Sequence, residues 1–152
     1  MINPSPSRRR PLVPTLLFAM LLIASTGLHA ESPISTPLNG SAEVPPVTTA
    51  ATGSSQITVL PDRSVNGSVK ISGMVPTMAH IHEAAVGKNG PPIITLVPAP
   101  NDSYAVPAGT KLTEAQYASF TAGRLYVNVH SAKHPDGEIR AQLLGKPMRL
   151  AN

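Results

Sequence analysis

Residues 124–130 read RLYVNVH and residues 138–144 read EIRAQLL. In the first stretch Leu125, Val127 and Val129 alternate with Tyr126, Asn128 and His130; in the second Ile139, Ala141 and Leu143 alternate with Arg140 and Gln142. Successive side chains of an extended chain leave on opposite faces, so each stretch is a strand with one apolar face and one polar face. Asp136-Gly137 between them is a turn signal, and the two strands are expected to pair.

The same pattern recurs elsewhere. Residues 54–60 (SSQITVL) and 65–72 (VNGSVKIS) flank Pro61-Asp62-Arg63-Ser64, which predicts a second hairpin. Residues 93–97 (IITLV) form a β-branched run between Pro92 and Pro98. One segment departs from period two: Thr113-Glu114-Ala115-Gln116 is a capping box that opens a short helix ending at Gly123. Tyr117 and Phe120, three apart, are expected to pack that helix onto the domain. About seven short strands separated by turns indicate an all-β domain, a sandwich or Greek-key barrel with one short helix. Seventeen prolines suit strand ends and edges and would break central helices.

The first thirty residues read as a signal peptide rather than as fold. Arg8, Arg9 and Arg10 make a positive start, residues 16–24 (LLFAMLLIA) an apolar stretch, and Leu28-His29-Ala30 a cleavage site near Ala30. Nine apolar residues are too few for a transmembrane helix, which needs roughly 20, so no stable membrane span is expected after cleavage. The expected layout is a signal peptide over 1–30, a flexible segment over 31–37, one domain over 38–144 and a flexible tail over 145–152. Export places the domain in the periplasm or outside the cell.

Charge and cysteine content narrow the function classes. The formal charge of +4 includes the three leader arginines; without them nine Lys and Arg face eight Asp and Glu. With no basic run and few aromatics, no nucleic-acid partner is expected. The chain has no cysteine, which excludes disulfides, a lipoprotein anchor and a thiol nucleophile. It has no Gly-x-Ser-x-Gly, phosphate-binding glycine loop or His-Glu-x-x-His either, so no catalytic residue is assigned.

The informative chemistry lies in the histidines. His80 and His82 are two apart on a strand, so their side chains share a face with Cα atoms ~6.5 Å apart, and Met78 shares that face. His130 ends the polar face of its own strand. If the two strands are neighbours, three imidazoles converge across a spacing of ~4.8 Å. The expected metal set is therefore His80, His82 and His130, with His134 in the following turn and Met78 as further candidates. Imidazole suits copper, zinc and nickel, and a thioether favours Cu(I), so copper is expected before zinc. Asn128, Glu138 and Arg140 are the polar neighbours expected to orient the ligands. A hydrogen-bonded structural cluster is the competing reading of the same histidines. Glu138 and Arg140 have a plainer reading too, as an exposed ion-pair ladder contributing about 0–1 kcal/mol. Glu43-Val44-Pro45-Pro46 reads as a strand terminator, because proline cannot donate to a sheet.

Taken in order, several motifs resemble the CHRD domain family, first defined in chordin. They are Leu38-Asn39-Gly40-Ser41-Ala42-Glu43-Val44-Pro45-Pro46, Gly53 after it, Ala79-His80-Ile81-His82, Asn89-Gly90-Pro91, residues 123–130 (GRLYVNVH) and residues 136–143 (DGEIRAQL). The resemblance covers about residues 38–144. It implies an immunoglobulin-like β-barrel akin to copper-zinc superoxide dismutases, and no settled activity. His-x-His on a strand is similar to the copper-ligand strand of those dismutases. The cysteine pair and the long zinc loop of the dismutases are missing, which ranks a dismutase-like enzyme last. Glu83-Ala84-Ala85 departs from the family, whose members often carry a glycine there. Chordin also suggests an alternative function, an extracytoplasmic protein-binding or structural module without metal.

Overall fold

The computed structural model describes residues 1 and 35–145. The proposed signal peptide and most of the proposed C-terminal tail lie outside the described residues. Among the described residues nine strands run in chain order: β1 (Thr36–Asn39), β2 (Thr52–Val59), β3 (Val65–Ser72), β4 (Pro76–Glu83), β5 (Pro92–Thr95), β6 (Val97–Ala99), β7 (Ser103–Ala105), β8 (Leu125–Ser131) and β9 (Ile139–Leu143). The α-helix among them, α1 (Glu114–Thr121), precedes β8. The fold is all-β, as the alternation requires.

All strand pairs are antiparallel, in the order β5-β4-β8-β9-β1-β2-β3-β7-β6. The edge strands β5 and β6 follow each other in the chain with only Leu96 between them, so the sheet curls into a nearly closed barrel. The run at residues 93–97 is thus two strands: Leu96 is buried, and its amide donates to the Ala79 carbonyl. Pro92 and Pro98 sit on the edge strands, where a missing donor is tolerated. β1 opens at Thr36, opposite Ser55, so the chain is already paired two residues before the boundary read from the sequence.

The expected hairpins form in register. Leu125 faces Leu143, Val127 faces Ala141 and Val129 faces Ile139, and all six are buried in the barrel with Leu38, Val65, Val69, Ile71, Ala79 and Ile81. The capping box closes as read, with Gln116 N–H donating to Thr113 Oγ1 and Thr113 N–H to Gln116 Oε1. Tyr117 and Phe120 pack against the core. Gly123 takes φ 67°, the left-handed conformation that lets the chain leave the helix for β8.

The outer face of β4, β8 and β9 differs from the expectation. Alternation suggested that its polar side chains meet solvent, yet every residue of β8 is buried. Covering segments supply the reason. Residues 84–91 are held over the face by β9: Gln142 donates to the Ala84 carbonyl, and Arg140 donates to the Lys88 carbonyl and Asn89 Oδ1. Asn89 in turn donates to the Val44 carbonyl, which ties down the segment after β1. Two polar faces are thereby closed into a second, polar interior.

Candidate metal centre

β4 and β8 pair with Met78 opposite His130, His80 opposite Asn128 and His82 opposite Tyr126. This register puts His80, His82 and His130 on one face, with one ring nitrogen from each within 4.8 Å of the others. The trio is the one cluster of three or more such ligands among the described residues.

The hydrogen bonds decide which nitrogen each ring offers. His82 Nδ1 lies 2.9 Å from the Gly90 carbonyl, and His130 Nδ1 lies 2.8 Å from the Pro135 carbonyl. A carbonyl only accepts, so Nδ1 of each ring carries a proton, and in the neutral imidazole Nε2 is then the bare lone pair. His80 Nδ1 is 3.1 Å from His130 Nε2 and donates to it in the metal-free protein. His82 Nε2 is buried with no hydrogen-bond partner. Two oriented lone pairs and a third imidazole therefore share one small space. Backbone carbonyls fix tautomers in this way around metal-bound histidines.

Burial lowers the pKa of His80, and the neighbouring His130 and His82 add to the shift. Burial lowers that of His82 as well, against a smaller opposing pull from the Gly90 carbonyl. Both rings are therefore neutral at pH 7, the form that binds metal. Accessibility is one-sided. His82 and His130 are buried, His80 is half-buried and Met78 is 44% exposed, so the trio opens to solvent beside Met78.

The remaining residues singled out from the sequence take varied places. His134 stands outside the trio; its backbone exchanges hydrogen bonds with Ser131, and its Nε2 is buried without a partner. Glu138 accepts from Ser131 Oγ and, at 2.6 Å, from Thr49 Oγ1, so it holds the 131–138 turn rather than a histidine. Asn128 is buried opposite His80, with its Oδ1 unpaired, and its amide nitrogen and the Glu43 carboxylate both lie against Gly137. Arg140 touches no histidine, and it is no exposed ladder member, being 2% exposed. Its guanidinium lies 3.4 Å from the centre of the Tyr126 ring, and His82 stacks on the same ring at 4.8 Å and 12°. Two groups cannot share one ring face at these distances, so Tyr126 stands between His82 from β4 and Arg140 from β9.

Two residues at the site carried no functional signal in the sequence reading. Tyr126 alternates with the apolar residues just as Asn128 and His130 do, and that shared face was the available clue. Glu43 belongs to a stretch whose local pattern is that of a strand terminator, yet it is buried, and no local pattern announces that.

A family model described as CHRD domain matches residues 34–143. No curated protein and no solved structure matches the chain. No helix among the described residues is long and apolar enough to cross a membrane. The family match spans the whole barrel, from β1 to β9, and includes every residue of the histidine site: the chain belongs to the CHRD domain family.

Proposed function

We propose that this protein is an exported CHRD module that binds one metal ion, copper in preference to zinc, through His80 Nδ1, His82 Nε2 and His130 Nε2. The observation that carries the reading is the buried, unpartnered Nε2 of His82, turned from its Nδ1 anchor toward two further imidazoles. Leaving such an acceptor unsatisfied costs about 1–3 kcal/mol, and a cation offsets that cost for the whole trio. His80 would bind by moving its proton from Nδ1 to Nε2, which involves no net change in charge. Three neutral nitrogens with a thioether at the open side suit copper, and Met78 is the residue that would favour Cu(I). His134 is left out of the set.

Export rests on the basic start, apolar stretch and small-residue site within residues 1–30, and agrees with the extracytoplasmic character of the family. The module would then meet metal in the periplasm or outside the cell. The test is to purify the mature chain without a tag, load it with Cu(I), Cu(II) or Zn(II), and measure bound metal after desalting. Retention of about one copper per chain supports the reading. Recovery of metal-free protein under every condition sinks it and leaves a structural histidine cluster in a protein-binding domain.

A further inference from the structure

We infer that Glu138 is a positioning residue of the histidine site, fixing the tautomer of His130 through Ser131 and the Pro135 carbonyl. The inference deepens the metal-binding reading above, and its consequence for affinity rests on that reading.

His130 is the ring whose proton the trio alone does not place. Its Nε2 faces His80 Nδ1 at 3.1 Å, and either imidazole of such a pair can be the donor. The Pro135 carbonyl decides the direction. It only accepts, so it holds the His130 proton on Nδ1 at 2.8 Å and leaves Nε2 as the lone pair. His130 therefore offers that atom to a metal only while Pro135 is held in place.

Pro135 is held by polar contacts. Ala132, Lys133, Pro135 and Asp136 are exposed, so apolar burial does not fix this turn. Ser131 N–H donates to the His134 carbonyl, His134 N–H to the Ser131 carbonyl and hydroxyl, and Gly137 N–H to the His134 carbonyl. The Ser131 hydroxyl in turn donates to the buried Glu138. A hydroxyl has one proton. Giving it to Glu138 leaves the oxygen lone pairs free for His134 N–H, so the carboxylate sets the direction of the relay.

Glu138 is fixed from two sides. Its N–H donates to the Val129 carbonyl at 2.8 Å, where β8 turns toward β9. Its other carboxylate oxygen accepts from Thr49 Oγ1 at 2.6 Å, and Thr49 Oγ1 accepts from the Ala51 N–H. The carboxylate thus receives two hydroxyl protons, one on each oxygen. An ionised carboxylate is acceptor-only and takes both, whereas a glutamine amide of the same shape must give one up. His82 supplies an internal reference. Its Nδ1 is anchored on Gly90, in a different segment that Arg140 holds through residues 88 and 89.

The test uses the mature chain with isotope-labelled histidine nitrogens, as wild type, Glu138→Gln and Ser131→Ala. Long-range proton–nitrogen NMR on the metal-free protein reads the tautomer of each ring. Wild type is expected to show His82 and His130 each as the single Nδ1–H form. In both variants His130 is expected to lose that signature, its two nitrogens moving toward an averaged shift, while His82 keeps it. Titration with copper against a competing chelator is expected to show binding about 10–100-fold weaker than wild type. Ser131→Ala cuts the same relay with the carboxylate in place, and it carries the test if Glu138→Gln does not fold. An unchanged His130, a His82 disturbed as much as His130, or variants within twofold of wild-type affinity overturns the positioning role and leaves the metal site standing. Wild type that binds no metal removes the metal site, and the tautomer readout still decides what Glu138 does.

Discussion

His80 Nδ1 donates across 3.1 Å to His130 Nε2, although the register of β4 and β8 sets Met78, and not His80, opposite His130. The contact is therefore a diagonal one, within reach of long and aromatic side chains on paired strands. It joins the half-buried histidine to a buried one whose other nitrogen is already committed. This bond must open for a metal to enter, and only the His80 proton has to move.

The relationship separates ligand from scaffold. His80 has one protein partner and is partly in water, whereas His82 anchors Gly90 and stacks on Tyr126. His80→Ala is expected to abolish metal retention while lowering metal-free stability by only ~0.5–1 kcal/mol. His82→Ala is expected to abolish retention and to cost about 2–3 kcal/mol. Metal titration paired with urea unfolding reads both. Equal, large stability losses in the two variants would mark His80 as structural.

Arg140 is expected to act as the clasp of the cover. It stacks on Tyr126 and holds residues 88 and 89 from below, a planar fork that a lysine cannot reproduce. Arg140→Lys is expected to cost about 2–3 kcal/mol and to speed hydrogen exchange over residues 84–91. With the Gly90 anchor loosened, metal affinity is expected to drop on the order of tenfold. Unchanged exchange in that segment would show that the cover is held by other means.

Gly137→Ala tests the closeness of Glu43 and Asn128. Gly137 has φ 131°, a conformation that L-residues avoid, and the added carbon meets both side chains inside contact distance. A loss of roughly 1–3 kcal/mol is expected in thermal or urea unfolding. A neutral substitution would contradict the placement of Glu43.

The pH dependence of metal-free stability isolates the carboxylate. The Glu43 carboxyl sits at about 7 in the fold against 4.5 in the unfolded chain. Between those values the folded state holds more protons, so stability falls as pH rises through this window. Solvent that still screens part of the group reduces the effect to on the order of 2 kcal/mol. Glu43→Gln removes that slope and is expected to be more stable than wild type above pH 7. A variant less stable than wild type at pH 8 would make Glu43 a stabilising residue instead.

Much of the barrel was legible because its information is local. The alternation of Leu125, Val127 and Val129, the Pro61-Asp62 turn and the Thr113–Gln116 box each act within a few residues, and each formed as read. The shared face of His80 and His82 followed from period two alone. What escaped depends on contacts between distant segments. Alternation says that Tyr126, Asn128 and Arg140 share a polar face, but not that residues 84–91 will roof it. Glu43 lies in a proline-rich stretch whose local reading is termination; only the docking of that stretch on β8 and β9 buries it. Leu96 divides a run that looked continuous, because closing the barrel required its side chain inside.

Copper stoichiometry together with the copper spin-resonance spectrum decides whether the trio holds a metal. The mature chain loaded with Cu(II) and desalted is expected to retain about one ion per chain, with nitrogen couplings from three imidazoles and none retained by His80→Ala. Retention well below one ion per chain, or a spectrum that is the same in wild type and His80→Ala, would contradict it.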